Sequence, residues 1–248
     1  MKTKLGSYKV KSFELRELEF RYETGEAVLE NVSMKLPVNS IVHVTGPTGH
    51  GQSTLLKVLS LLAEPTKGAV IVNGTSATEM SFEEFLPWRL EIGYTFESGG
   101  LLTNRTLEDN LLLPHLYHNL SDSESVKHEI KSIAARFKFE KLLDRRPALV
   151  SGGLRKLVTI LRTVLLRPSF LVMDDPFSGL DPDTARGLEK LIFELRAKSE
   201  IETIYFTSRD ETWPARLRAK SLWVENGNID FRDAPETGNS DAAGWSSR

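Results

Sequence analysis

The stretch "GPTGHGQST", residues 46–54, has the glycine spacing of a phosphate-binding loop. In the pattern G-x-x-x-x-G-K-[ST], Gly46, Gly51 and Ser53 fall into place, and Gln52 stands where the lysine belongs. Such a loop works because backbone N–H groups and a helix N-terminus converge on an anion, with glycines letting the chain wrap tightly. Ser53 is then placed to hold Mg²⁺ through its hydroxyl. Taken alone, a lysine-less loop fits a plain glycine-rich turn equally well.

A second group sits in "FLVMDDPFSGLD", residues 170–181. A continuously apolar strand delivers Asp174 at its carboxyl end, where ligands lie in open parallel sheets. An acid there holds Mg²⁺ directly or through water, and Asp175 follows where it can polarise an attacking water. Paired acids that merely end a strand are the plainer alternative. The third group, "VSGGLRK" at 150–156, opens an apolar helix containing Leu157, Ile160, Leu161 and Val164. Ser151, Gly152 and Gly153 make an anion-ready helix start, although S-G-G by itself is also an ordinary cap.

The elements that must position these residues are legible. "FELRELEFRY" alternates at Phe13 and Leu15, slips by one, and resumes at Leu18, Phe20 and Tyr22, which predicts a bulge. "NVSMKL" alternates at Val32, Met34 and Leu36, so both stretches read as half-buried antiparallel strands. "IVHVT" at 41–45 enters the glycine loop, and "STLLKVLSLL" leaves it with helical spacing at Leu55, Leu59 and Leu62. "GAVIVNG" is a further strand. Residues about 106–150 read as wholly helical, with a capping box at Ser121 and Glu124. "ETIYFT" at 202–207 is a strand, and "SLWVENGNIDF" is a hairpin turning at Asn226–Gly227. Residues 231–248 are polar and small and are expected to be a disordered tail, with Trp245 as its one docking group.

Composition narrows the function class. The 248-residue chain carries a net charge of −2, so no global field points to nucleic acid. It has 0 cysteines, which excludes disulfides and thiolate chemistry. No apolar run approaches a membrane span, and "MKTKLGSYKVK" lacks the apolar core of a secretory signal. Its four lysines are too few to anchor on an anionic membrane and read as solvated.

In order and spacing, the three groups closely resemble the ATP-binding cassette (ABC) ATPases over about residues 13–230. Residues 46–54 resemble Walker A, 151–153 the signature, 170–175 Walker B, and Asp181 the D-loop. Tyr22 occupies the place of the aromatic that stacks on adenine. Glu97 sits where the family has the Q-loop glutamine, and Arg209 in "TSRDE" replaces the switch histidine. "FESGGLL" and "DDPFSGLDP" look most like the ATPases of Mla/Mce-type phospholipid transporters.

The resemblance implies an α/β P-loop ABC ATPase fold: a mixed central sheet, an antiparallel β subdomain and a helical subdomain. It implies a single nucleotide-binding domain, with 1–96 and 155–230 as the α/β core and 97–154 as the helical part carrying the signature. The cofactors implied are ATP and Mg²⁺. The nucleotide contacts expected are Tyr22, Gly46, Gly49, Gly51, Gln52, Ser53, Thr54, Ser151, Gly152 and Gly153. Ser53, Asp174 and Glu97 are the expected metal ligands, and Asp175, Glu97 and Arg209 the catalytic positions. Cassettes pair head to tail, so the partners implied are a second ABC nucleotide-binding subunit, in a heterodimer or in a homodimer that binds without much turnover, and separate transmembrane permease subunits, at the cytoplasmic face of the membrane. No nucleic-acid partner is expected.

Four hydrolytic positions depart from the family: Gln52, Glu97, Asp175 and Arg209. Gln52 removes a charge worth roughly 4 kcal/mol at ~4 Å and an effective dielectric of ~20. Asp175 is a methylene shorter than the family's glutamate, and a displacement of about 1 Å can cost on the order of 10²-fold in rate. Loss of the lysine and histidine also removes transition-state stabilisation. Weak or absent hydrolysis is therefore expected at the chain's own site, with binding retained. The alternatives are an active ATPase with a rewired site, and a soluble regulatory cassette protein.

Overall fold

A computed structural model describes residues 8–23, 25–120 and 122–232, with only the backbone at Phe82. The chain opens with strands β1 (Phe13–Arg21) and β2 (Ala27–Leu36). They pair antiparallel and join β4 (Lys67–Val72) and β5 (Thr75–Ser76) in a four-stranded sheet of order β2-β1-β4-β5. The predicted slip in β1 is present: the register shifts between Leu15 and Leu18, and Glu17 takes a left-handed φ of 46°. The Ser33 hydroxyl accepts from the Glu17 amide at 2.8 Å and satisfies the donor that the bulge removes from the ladder.

The second sheet has six strands, of which the last is antiparallel. It contains β3 (Ile41–Thr45), β6 (Ile92–Thr95), β7 (Phe170–Met173), β8 (Thr203–Phe206), β9 (Lys220–Glu225) and β10 (Asn228–Arg232) in the order β10-β9-β3-β8-β7-β6. Strand β7 shows why the sequence runs apolar without alternation. Phe170 and Val172 face one core, with β1, β2 and helix α1 (Gln52–Leu59). Leu171 and Met173 face the other, with helices α3 (Leu107–Tyr117), α4 (Ser123–Arg136), α5 (Gly152–Val164) and α6 (Pro182–Ala197). A strand covered on both faces has no polar side to alternate with.

Four expectations need adjustment. Helix α1 stops at Leu59, where Ser60 is the C-cap and Leu61 turns left-handed, so Leu62 lies outside it and is exposed. Ser121 lies outside the described residues, and the cap of α4 is Asp122, whose carboxylate accepts from the Ser125 amide. Residues 231 and 232, placed in the tail, are the last two of β10, while 233–248, including Trp245, lie outside the described residues. Helix α5 also runs through the expected subdomain boundary at 154/155. Helix α2 (Phe82–Glu91) and β6 are not among the sequence-predicted elements. A capping box at Ser81 and Glu84 marks the start of α2.

Candidate functional site

The carboxyl ends of the parallel strands converge on a cavity of about 470 Å³. The glycine loop follows β3, Glu97 follows β6, Asp174 and Asp175 follow β7, and Arg209 follows β8. Gly46, Gly49, Gln52, Ser53, Glu97, Asp174, Asp175 and Arg209 all line this cavity. Most of the predicted site is thus brought together by the topology, at the crevice where open α/β sheets bind ligands.

The loop has the geometry of an anion cradle. Gly46 has φ 147° and Gly51 φ 101°, and a Cβ on either would collide: 2.0 Å from the Val224 carbonyl oxygen, or 2.5 Å from Val28 Cγ1. Gly51 is the N-cap of α1, and no side chain caps that helix, leaving its first-turn amides without protein acceptors. Helices α2 to α6 are each capped by a side chain. Gln52 does not extend into the cavity as a cation would. Its Nε2 donates to the Pro47 carbonyl at 2.8 Å and folds the amide onto the loop.

Asp174 is buried and organised by hydroxyls. Ser53 Oγ donates to its Oδ1 at 3.1 Å and Thr207 Oγ1 donates to the same oxygen at 2.8 Å. Tyr94 OH donates to Oδ2 at 3.4 Å, and burial beside this carboxylate pushes the phenol far above its ordinary pKa. Thr207 also accepts from the Asp175 amide at 2.9 Å. Ser53 and Asp174 therefore offer an oxygen-only donor pair, the kind Mg²⁺ takes while keeping several waters. The uncapped cradle and this donor pair fit a Mg²⁺–polyphosphate. Thr207 and Tyr94 were not singled out from sequence. A hydroxyl one residue beyond β8, beside β7, was the available signal for Thr207.

Asp175 sits in a tight corner. Its φ is 44°, it is 5% exposed, and its Oδ2 has no hydrogen-bond partner. Arg209 Nε lies 3.9 Å from that oxygen, and Arg209 Nη2 donates to Glu97 Oε1 at 3.0 Å. The cavity lining holds four acids (Glu97, Asp174, Asp175, Glu211) and one cation (Arg209), a formal charge of −3. Two residues beyond Asp175, Phe177 stacks on Trp213 of helix α7 (Thr212–Arg216) at 4.0 Å, joining the segments after β7 and β8.

Other predicted residues lie outside this cavity. Tyr22 is half-exposed beside α1, and its hydroxyl is hydrogen-bonded with Thr54 Oγ1 at 3.0 Å. Thr54 is thereby turned away from the cavity and is buried. Gly51 packs on Val28 behind the loop. Ser151 is the N-cap of α5, accepting from the Leu154 amide at 3.2 Å. Ser151 and Gly153 border a separate concavity with Gly179 and Asp181. Gly152 borders a cleft of about 600 Å³ that shares Glu97 as a wall. In that cleft Lys156 donates to Ser178 Oγ at 2.6 Å, and Ser178 in turn donates to the Asp175 carbonyl at 3.2 Å. Burial holds the Lys156 ammonium below its ordinary pKa. Among the described residues no helix is long and apolar enough to cross a membrane.

Comparison with known proteins agrees with this geometry. A family profile described as "ABC transporter" matches residues 29–178. The chain is 33% identical over 194 residues to the phosphonates import ATP-binding protein PhnC 2 of Synechococcus sp. (strain JA-2-3B'a(2-13)), covering 75% of this chain and 72% of that protein. It is 34% identical over 188 residues to the lipoprotein-releasing system ATP-binding protein LolD of Buchnera aphidicola subsp. Schizaphis graminum (strain Sg), covering 75% and 79%. Among solved structures, the dimeric ATP-binding cassette MJ0796 bound to ADP and Pi superposes with a TM-score of 0.80 at 22% identity, covering 89% of this chain and 98% of that one. With the cradle, the acidic strand end and the two-sheet architecture all in place, the chain belongs to the ABC transporter family, as an ATP-binding cassette.

Proposed function

We propose that this chain binds Mg-ATP as a peripheral subunit at the cytoplasmic face of a membrane transporter, and that its own site turns ATP over slowly or not at all. The observation that carries this reading is the single cavity joining an intact backbone cradle, Ser53 and Asp174 with four replaced positions. Main-chain amides and the Ser53–Asp174 pair are independent of the replacements, so they retain the capacity to hold phosphate and metal. ATP, when bound, would supply the phosphoanhydride bond, and Mg²⁺ held by Ser53 and Asp174 would offset the charge of its oxygens.

What the protein itself contributes to hydrolysis is weak. Gln52 brings no charge to the phosphates and is tied to Pro47. Asp175 is buried, short and beside Arg209, a poor arrangement for a base that must meet water. A formally −3 cavity disfavours a polyanion that arrives without its metal.

The signature residues complete the proposal. Ser151 and Gly153 border a concavity apart from the chain's own loop, which suits a role toward a second cassette paired head to tail. The chain would then be the weak half of an asymmetric pair, clasping ATP on a partner with a full Walker set and passing closure to separate transmembrane permease subunits. A lipid cargo is the narrower reading, resting on "FESGGLL" and "DDPFSGLDP".

A second reading, an active ATPase with a rewired site, draws on the Arg209–Glu97 pair inside the cavity. Single-turnover measurement with Mg-ATP separates the two. Tight binding with no phosphate release over many minutes supports the first, and release at a rate typical of the family overturns it. Affinity purification of the tagged chain from its own cells would bring a second cassette and a membrane subunit. Recovery of the chain alone, under conditions that preserve membrane complexes, counts against the transporter assignment.

A further inference from the structure

We propose that the Glu97–Arg209 ion pair is an exchange latch over the nucleotide cavity. Arg209 leaves Glu97 to take the terminal phosphate, and this exchange makes triphosphate binding depend on the metal. The inference rests on the nucleotide reading above and adds a specific route by which ligand enters.

The placement follows from strand order. Strands β8 and β6 flank β7 in the sheet. Glu97 lies just beyond the end of β6 and Arg209 just beyond the end of β8, so their contact arches across the carboxyl end of β7, where Asp174 and Asp175 sit. Arg209 reaches both sides of this arch: Nη2 is 3.0 Å from Glu97 Oε1, and Nε is 3.9 Å from Asp175 Oδ2. That Asp175 oxygen is buried and has no hydrogen-bond partner; Arg209 answers its charge from the cavity side, and the half-buried Lys156 ammonium lies within electrostatic reach from the neighbouring cleft.

The pair is built to open. The Arg209 side chain is 82% exposed and that of Glu97 45%, so water screens their attraction and competes for both. A phosphate group offers the guanidinium a doubly charged, bidentate acceptor that a lone carboxylate in water cannot match. Arg209 is also the only cationic side chain among the residues lining the cavity, since Gln52 is neutral and folded onto Pro47. An incoming phosphate therefore recruits Arg209 and strips Glu97 of its partner.

The exchange leaves an excess of negative charge, only partly offset by Lys156 in the adjoining cleft, that a divalent cation relieves. Unpaired Glu97 then faces the same cavity as Asp174, Asp175 and the added phosphates. A divalent ion on the Ser53 and Asp174 oxygens offsets this repulsion. Metal-free ATP must bear it in full. Glu97 in this scheme is a positioning residue: it holds Arg209 away from an empty site.

The test is nucleotide affinity by titration calorimetry, for ATP and ADP, with Mg²⁺ or with EDTA. The proteins are the 248-residue chain, Glu97→Gln, Arg209→Gln and the double variant, each checked for an unchanged melting temperature. Glu97→Gln should bind metal-free ATP about tenfold more tightly than the parent, with a smaller gain in Mg²⁺. The double variant should bind Mg-ATP about tenfold more weakly than the parent while ADP changes less than about twofold, because the lost contact is to the terminal phosphate. A double variant that binds ATP as the parent does would show the pair to be a static neutral wall and overturn the proposal. So would a Glu97→Gln protein whose metal dependence matches the parent's. If no form binds either nucleotide, the functional reading falls as well; if all bind but the pattern is absent, only the latch does.

Discussion

Replacing Gln52 with lysine restores the missing cation at the loop, and the structure sets its size. The gross attraction of an ammonium for phosphate at ~4 Å and an effective dielectric of ~20 is roughly 4 kcal/mol. Two terms oppose it. Gln52→Lys gives up the Gln52–Pro47 hydrogen bond, worth about 1 kcal/mol, and ordering the longer side chain costs about 1–2 kcal/mol. The net is about 1–2 kcal/mol, or roughly 5- to 30-fold in affinity for Mg-ATP. Turnover should change far less, because Asp175 remains short and buried whatever stands at position 52. Equilibrium titration gives the affinity, and rapid-quench measurement of a single turnover gives the chemical step. A rise in the hydrolytic rate constant larger than the gain in affinity would refute the reasoning. It would mean that Gln52 alone limited the chemistry and that the other three replacements are compensated. Unchanged affinity would refute the cradle itself.

Gly46→Ala places a methyl 2.0 Å from the Val224 carbonyl at a left-handed φ, so it should abolish nucleotide binding in a titration and lower the melting temperature by several degrees. In the signature, Gly153→Ala meets the Gly179 carbonyl at 2.8 Å, whereas at Gly152 the added methyl meets only the tip of Arg155, at 3.8 Å. Thermal denaturation should therefore show about 1–3 kcal/mol of destabilisation for Gly153→Ala and little for Gly152→Ala. His43 and His115 are buried and held below their ordinary pKa by that burial, and both His115 ring nitrogens lack partners. Below about pH 6.5 the unfolded chain takes up protons that the folded chain refuses, so stability should rise with pH through that region. The slope is at most ~1.4 kcal/mol per pH unit for each histidine, and His115→Leu should flatten the melting-temperature profile between about pH 5 and 6.5.

Much of this was legible in the sequence because it rests on short-range rules. The apolar run before Asp174 demanded a strand covered on both faces, and β7 is one. The slip at Glu17 demanded a bulge, and the backbone bends there. Helix α2 escaped because its apolar spacing is weak and Pro87 interrupts it. Strand β6 escaped because four residues, one of them glycine, carry no usable period. The glycine loop and the two acids sit at strand ends that pattern can find. Tyr94 reaches Asp174 from β6, far away in sequence, and a lone hydroxyl there has no spacing to betray it; Thr207, one residue past β8, stands out only once the strand order sets β8 beside β7. Tyr22 shows the converse: its position was marked by family resemblance, but its bond to Thr54 depends on how β1 ends against α1.

The Phe177–Trp213 stack has a practical meaning. Its two rings ride on the segments that carry Asp175 and Arg209, nearly parallel at 9° and 4.0 Å apart. Any drift of one segment relative to the other changes the surroundings of an indole, and indoles fluoresce. A variant keeping Trp213 as its sole emitter would let the protein report, through its own colour and intensity, when the roof over its acids has moved.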